Sequence, residues 1–186
     1  MSTLYAGVDI SKWQNNVNYK QLAAGKINGI GTEFAMLRFS YGKSRDSVFD
    51  THYKGCKAAG IKVGAYHWLL AQSVSEARAE AKWLTEQLPG YRLDYPIALD
   101  FEDSDLLSLG LTKAQYTAIV NAFMSVLQQA NYYVILYANP NVLDNYLQSS
   151  VRQKYDLWLA HWVKSPKQYG QKMWQYGALG TAAQVS

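Results

Sequence analysis

Short, nearly continuous apolar runs alternate along the chain with longer amphipathic segments. The apolar runs predict seven strands, at residues 4–10, 34–39, 61–70, 97–101, 132–137, 156–163 and 172–176. Periodic apolar positions and capping residues predict helices between them, at residues 18–25, 48–59, 75–88 and 112–130, with a short helical piece around Leu143. Apolar strands that alternate with helices are typical of a parallel sheet covered by helices.

The residues that follow these strands favour a barrel over an open doubly wound sheet. The turn after the first strand, at residues 9–14, lacks the Gly-x-Gly-x-x-Gly pattern of dinucleotide-binding sheets. In a barrel, functional residues gather at the carboxyl ends of several strands. Polar and aromatic residues occur at seven strand ends here: Asp9, Arg38 with Tyr41, Tyr66 with His67 and Trp68, Asp100 with Glu102, Tyr137 with Asn139, His161 with Trp162, and Gln175 with Tyr176. We therefore predict an α/β protein with an irregular, TIM-barrel-like (β/α) barrel.

Composition narrows the classes of function. The 186 residues are 49% hydrophobic and 17% charged, which predicts one globular domain over residues 1–186. The net charge of +4 is scattered along the chain, so a nucleic-acid partner is not expected. No apolar run reaches the roughly 18 residues of a membrane span, and the first residues lack the pattern of a signal peptide. Cys56 is the single cysteine and has no partner for an internal disulfide.

The segment at residues 95–103 carries the strongest chemical signal. Its apolar strand ends by presenting Asp100 and Glu102, with Phe101 between them. Because residues two apart in a strand share a face, the two carboxyls lie together. Close like charges raise at least one pKa, and we expect Glu102 to keep its proton and Asp100 to be the more acidic. A glycosidase needs such a pair, whereas the structural alternative is an acidic strand end that caps a helix or pairs with a base.

Several other residues have a structural alternative as well. Asp9 can cap a turn with Ser11, and His67 and His161 are as consistent with satisfied wall positions as with bases. The acidic group at residues 100–105 lacks the Gly and the distal Glu of a calcium loop, so neither a metal site nor a cofactor is predicted. Core packing is the alternative for three tryptophans, Trp13, Trp83 and Trp158.

Six segments together resemble the successive strand motifs of glycoside hydrolase family 25, the N-acetylmuramidase lysozymes found among phage endolysins and bacterial autolysins. The resemblance covers essentially the whole chain, in order. The segments are residues 7–14 (GVDISKWQ), 34–42 (FAMLRFSYG), 58–68 (AAGIKVGAYHW), 95–103 (YPIALDFED), 155–161 (YDLWLAH) and 173–176 (MWQY).

The resemblance implies cleavage of the β-1,4 bond between N-acetylmuramic acid and N-acetylglucosamine in peptidoglycan. It matches Glu102 to the proton donor, Asp100 to its partner carboxylate and Asp9 to the first-strand acid of the site. Tyr66 and Tyr137 match aromatic positions that line the groove. Five further residues lie in matching motifs and are candidates for substrate binding: Arg38, Tyr41, Trp158, His161 and Trp174.

Two questions stay open at the level of sequence. The reaction can use a protein nucleophile or the acetamido group of the substrate, and a barrel of the same descent could bind glycan without cutting it. Action on the bacterial cell wall would then require release from a host cytoplasm, as for a phage endolysin, or another secretion route.

The carboxyl-terminal part departs from the family pattern. Family members usually continue past the Trp-Gln-Tyr strand into a closing segment that supplies another site Asp, whereas no carboxylate follows Asp156 here. We therefore expect a barrel that is not fully closed, with a gap between the strand at residues 172–176 and the first strand. The tail at residues 180–186 is expected to be loosely held.

Overall fold

The computed structural model describes residues 4–177, which form one curved sheet surrounded by helices. The strands are β1 (Ala6–Ile10), β2 (Lys26–Ile27), β3 (Ile30–Tyr41), β4 (Ser44–Arg45), β5 (Lys62–Trp68), β6 (Ile97–Asp100), β7 (Val134–Ala138), β8 (Leu157–Ala160) and β9 (Met173–Gln175). The helices are α1 (Tyr19–Ala24), α2 (Phe49–Ala58), α3 (Val74–Gln87), α4 (Ser104–Leu107), α5 (Lys113–Gln129), α6 (Pro140–Asn145) and α7 (Ser150–Lys154). Within residues 4–177, no helix combines the length and the apolarity needed to cross a membrane.

The seven main strands are parallel and follow the order β1-β3-β5-β6-β7-β8-β9. This order confirms the predicted strands and the α/β class. The two-residue strands β2 and β4 pair antiparallel with β3 and were not predicted, because two residues carry no periodicity. The longest helix, α5, begins as expected with a capping box between Thr112 and Gln115. Helix α3 begins slightly before the predicted residue 75, because Ser73 is the residue that caps it.

The outer face of the sheet carries the main hydrophobic core. Leu37, Leu99 and Leu136 on the strands pack in one cluster with Leu84 of α3 and Phe123 of α5. Burying a side chain of this size stabilises the fold by about 1.5–3 kcal/mol. This layer fixes the strands from outside and leaves their inner faces free for other chemistry.

The inner face of the sheet changes character along the strands. Its lower part is a separate apolar cluster that contains Met36, Ala98 and Ile135. Gly64 makes room there, because a Cβ atom at this position would lie 2.3 Å from the Met36 sulfur. Two residues further along their strands, the same face presents Arg38, Asp100, Tyr137 and Gln175. The inner face is therefore apolar along the first part of the strands and polar at their carboxyl ends. These polar carboxyl ends are called the mouth of the half-barrel below.

A β-bulge interrupts the pairing of β3 with β5. Arg38 lies opposite Tyr66, but Ser40 lies opposite His67, so Phe39 is an additional residue in β3. A regular strand would turn residues 38 and 41 to opposite faces. The bulge brings them together instead, and the Arg38 guanidinium carbon lies 5.6 Å from the centre of the Tyr41 ring.

The sheet is curled but not closed by backbone pairing in the part of the chain that the structure describes. The ladder ends at β9 on one side and at β1 on the other. One side-chain contact spans these two strands, in which Gln175 Nε2 donates a hydrogen bond to Asp9 Oδ2 over 2.9 Å. The fold is thus an open half-barrel, and the predicted incomplete closure is confirmed. The expectation about residues 180–186 lies outside the described residues.

Candidate active site

Three carboxyl groups meet at the mouth of the half-barrel. Asp9 comes from β1 and Asp100 is the last residue of β6, while Glu102 follows two residues later. Phe101 is fully buried in the outer core, so the residues on either side of it are turned inward. The strand ends therefore bring the acids together as the spacing of residues 100 and 102 predicts.

Burial raises the pKa of all three acids, and the charge of neighbouring acids raises it further at Asp100 and Glu102. For Asp100, burial is the largest cause, followed by the charges of Glu102 and Asp9, while Arg38 acts in the opposite direction. Burial and then the charge of Asp9 raise the pKa of Glu102. Burial raises the pKa of Asp9, against the hydrogen bond from Gln175. The cluster therefore holds a proton more readily than three separate carboxylates do.

Asp100 and Glu102 differ in how deeply they are buried. Asp100 is only 3% exposed, and its Oδ1 atom has no hydrogen-bond partner among the described residues. Glu102 is less deeply buried, and burial is the largest cause of the raised pKa of each of the two carboxyls. That Asp100 is the more acidic member of the pair stays a prediction.

Arg38 is held at one side of the cluster by a buried ion pair. Its Nε donates to Asp46 Oδ2 over 2.7 Å, and the residue is only 7% exposed. The same Asp46 oxygen accepts the backbone N–H of Lys12 at 3.0 Å. The Arg38 Nη2 atom is buried and has no partner among the described residues. This nitrogen therefore differs from Nε, whose hydrogen bond to Asp46 is made within the fold.

Aromatic side chains form walls around the acids. The Tyr137 ring packs edge-on against Trp158, with centroids 4.7 Å apart, and Tyr66 contacts the same Trp158 at 6.3 Å. Burial, together with the neighbouring carboxylates, raises the pKa of both tyrosines well above the usual range. Both hydroxyls therefore remain protonated donors. Trp158 is nearly buried and lies opposite Tyr137 in the pairing of β7 with β8.

Gln175 connects separate parts of the mouth. Its amide nitrogen donates to Asp9, as described above, while its Oε1 accepts the Tyr137 hydroxyl at 2.9 Å and the Trp162 indole N–H at 3.0 Å. These bonds fix the amide orientation, because the nitrogen faces an acceptor and the oxygen faces two donors. Gln175 therefore orients Asp9 and Tyr137 together. Its sequence signal was only its position at a strand end.

Two predicted substrate-binding residues are directed elsewhere. Trp174 alternates with Gln175 on β9 and donates its indole N–H to the carbonyl of His161 over 2.8 Å. The His161 ring accepts the backbone N–H of Lys167 at 3.2 Å. These contacts hold the loop after β8 and do not bring either side chain to the carboxyls.

His67 occupies a satisfied position in the wall, on the outer face of the sheet. Its two ring nitrogens bond to Ser40 Oγ and Glu80 Oε1, both at 2.7 Å. The ring also stacks on Phe123, with centroids 4.8 Å apart. Residues 4–177 contain no group of three His, Cys, Asp or Glu side chains arranged to hold a metal ion.

The tryptophans divide between core and surface. Trp158 lies in the inner apolar cluster and Trp83 packs against the outer core. Trp13 is 75% exposed, so core packing is wrong for this residue. It follows Lys12 in the loop after β1, at the same end of the sheet as Asp9.

Comparison with known proteins identifies the family. The model of glycosyl hydrolases family 25 matches residues 8–185. Lysozyme M1 of Streptomyces globisporus is 27% identical over 194 residues, covering 97% of this chain and 64% of that protein. The autolytic lysozyme of Clostridium acetobutylicum is 28% identical over 157 residues, covering 84% of this chain and 44% of that protein.

A solved structure shares the fold. The bacterial lysozyme from Streptomyces coelicolor superposes with a TM-score of 0.80 at 25% identity, covering 96% of this chain and 86% of that one. The chain spans between 37% and 64% of the length of the curated relatives it matches.

Proposed function

The chain belongs to family 25 of the glycosyl hydrolases, and on this premise we propose that it is a lysozyme. The proposed reaction is hydrolysis of the β-1,4 bond between N-acetylmuramic acid and N-acetylglucosamine in bacterial peptidoglycan. Residues 1–186 act in this proposal as a single catalytic domain at the cell wall. The observation that carries it is the meeting of three carboxyls with raised pKa at a mouth walled by tyrosines.

Glu102 is the proposed proton donor. Its pKa is raised by burial and by Asp9, so it keeps a proton at a higher pH than an exposed glutamate does. It lies beyond the end of β6 and is less buried than Asp100, which leaves it free to approach the glycosidic oxygen. Transfer of its proton to that oxygen allows the leaving sugar to depart with an intact hydroxyl.

Asp100 and Asp9 are the proposed stabilisers of positive charge on the reacting sugar. Burial disfavours the ionisation of both, and the charge of Asp9 adds repulsion at Asp100. Positive charge that develops on the sugar ring offsets this repulsion, so their attraction to the sugar is strongest in the transition state. Water then supplies the hydroxyl of the new reducing end and a proton that restores Glu102.

The proposal is tested on purified cell walls. The protein should clear a wall suspension and release new reducing ends of N-acetylmuramic acid, which borohydride converts to muramitol. Glu102→Gln should lower the rate by about 10²- to 10⁴-fold, the usual contribution of a general acid. Glu86→Gln is the matched control, because Glu86 is exposed on α3 and should leave the rate unchanged.

Three results would contradict the assignment. Near-normal clearing by Glu102→Gln would remove Glu102 from its role. New reducing ends of N-acetylglucosamine would show that the other linkage is cut. Binding of the unaltered protein to walls without any new reducing end would favour a barrel that binds glycan and does not cleave it.

A further inference from the structure

A cationic aromatic surface lies beside the mouth, formed by Lys12, Trp13 and Tyr41 and called the Lys12 platform below. The Lys12 ammonium lies 5.2 Å from the centres of both rings. Trp13 is largely exposed, so one large apolar face is free for a ligand. Tryptophan and tyrosine are enriched where proteins bind partners, because their rings combine apolar area with a polar tip.

The loop that carries the platform is fixed by hydrogen bonds. The backbone N–H of Lys12 donates to Asp46 Oδ2, and the backbone N–H of Trp13 donates to Ser11 Oγ at 3.4 Å. The Ser11 N–H in turn donates to Gln14 Oε1 at 2.9 Å. A surface already held in one geometry loses little entropy when a ligand binds.

The platform is continuous with the carboxyl cluster. Arg38 contacts the Tyr41 ring on one side, and on the other its charge acts on Asp100. The bulge at Phe39 makes this continuity possible, because it turns Arg38 and Tyr41 to the same face. The mouth is therefore asymmetric in charge, with three acids at one end and, at the other, the Lys12 ammonium beside the Arg38–Asp46 ion pair.

Building on the proposed lysozyme activity, we propose that the Lys12 platform is a binding subsite for the acidic sugar of the glycan strand. Trp13 stacks on the ring of that sugar, and the Lys12 ammonium pairs with a carboxylate that the sugar carries. Two sources supply this carboxylate: the lactyl group of a bare N-acetylmuramic acid residue, or the peptide attached to it.

The charge asymmetry gives the subsite a role in selecting the bond. A carboxylate on the glycan is repelled by Asp9 and Asp100 in their ionised forms and attracted by Lys12. Acidic and neutral sugars alternate along the strand, so holding an acidic sugar on the platform favours one register of the strand. This register determines which of the two kinds of β-1,4 linkage lies at Glu102.

Binding experiments on the Glu102→Gln variant test the subsite without cleavage. Three soluble ligands are compared by calorimetry: glycan fragments with peptides, the same fragments after an amidase has removed the peptides, and chitohexaose, which is neutral. Lys12→Gln should weaken binding of the acidic glycans by about three- to tenfold and reduce their preference over chitohexaose. Lys12→Arg should retain the preference, and Lys20→Gln, on the exposed side of α1, is the control.

A second variant, Trp13→Ala, tests the aromatic part of the subsite. Trp13→Ala should weaken all three ligands by about three- to tenfold, because ring stacking does not require the carboxylate. Tyr5→Ala is its control, since Tyr5 is also exposed but precedes β1 at the opposite end of the sheet. A preference confined to peptide-bearing fragments assigns the carboxylate to the peptide. A preference confined to the amidase-treated fragments assigns it to the lactyl group, whose carboxylate is free only after the peptide has been removed. An equal preference for both acidic glycans shows that the subsite accepts either carboxylate.

The outcomes separate this subsite from the catalytic proposal. An unchanged preference in Lys12→Gln, or equal weakening of all three ligands, overturns the role of Lys12. A preference that depends on Lys12, in a protein that releases no reducing ends from walls, supports the subsite and contradicts the lysozyme. Release of N-acetylmuramic acid ends without any such preference supports the lysozyme and contradicts the subsite.

Discussion

The two faces of the sheet differ in whether their buried polar groups have hydrogen-bond partners. On the outer face, His67 is bonded at both ring nitrogens, to Ser40 and Glu80. On the inner face, Asp100 Oδ1 and Arg38 Nη2 are buried without partners among the described residues. A satisfied buried network contributes to stability, whereas an unsatisfied group costs free energy until a ligand completes it. Burial alone therefore does not distinguish the two faces, whereas the hydrogen-bond partners of the buried groups do.

The largest effect that would test this contrast is expected at Asp100. Asp100→Asn should reduce wall clearing by about 10²- to 10⁴-fold, as loss of a catalytic carboxylate does. At pH 7 it should also raise the melting temperature by about 2–6 °C, because it removes a buried carboxylate whose charge is disfavoured. Clearing assays and calorimetric melting measure the two effects, with Asp105→Asn as a control at an exposed carboxylate.

The rise in melting temperature expected for Asp100→Asn should depend on pH and should be larger at neutral than at acidic pH. Because the folded pKa of Asp100 lies above its ordinary value of 3.8, the folded protein binds more protons than the unfolded chain between these two values. Stability of the unaltered protein therefore falls as pH rises through this window. The advantage of Asp100→Asn should be present at neutral pH and disappear near about pH 3. A gain of equal size at both pH values would show that its cause is not the buried charge.

An intermediate effect, on stability, is expected on the outer face. Glu80→Ala leaves His67 Nε2 and the Leu70 N–H without the carboxylate that binds them. The expected cost is about 2–3 kcal/mol, which lowers the melting temperature by roughly 4–12 °C. Glu86→Ala on the same helix is the matched control. Loss of clearing in Glu80→Ala at a temperature where it remains folded would mean that the outer network also serves the reaction.

The smallest effect is expected at Gln175, which joins the acid cluster to the opposite edge of the sheet. Gln175→Ala removes the hydrogen bond that lowers the pKa of Asp9, so this pKa should rise further. The acidic limb of the pH–activity profile should move to higher pH, with clearing at about pH 5 reduced roughly three- to tenfold more than at pH 7. Gln128→Ala, on the exposed side of α5, is the control. An unshifted profile would mean that Asp9 does not depend on this bond.

The main strands and the acids were predictable from sequence because both depend on local patterns. Apolar runs locate the strands, and the spacing of Asp100 and Glu102 places both carboxyls at one strand end. β2 and β4 are too short to produce a period, and α4 and α7 have only four and five residues. Such elements are determined by the contacts around them.

The remaining features of the site depend on distant contacts. The link between Gln175 and Asp9 joins residues 166 positions apart, so no local pattern encodes it. The exposure of Trp13 and the deep burial of Asp100 follow from how the strands curl, which periodicity does not describe. The turn of Trp174 away from the acids follows from its alternation with Gln175, which the sequence of the strand already contains.

The bulge in β3 also affects how the chain tolerates a change in length. Deleting one residue from a regular strand turns all later side chains to the other face. Deleting Phe39 would instead remove the additional residue and leave Ser40 opposite His67 and Tyr41 opposite Trp68, as they are now. The loss would be that of an aromatic ring packed 4.6 Å from Phe49 in the outer core. Phe39 is thus a position where β3 can become shorter at a cost in packing while its groove residues keep their orientation.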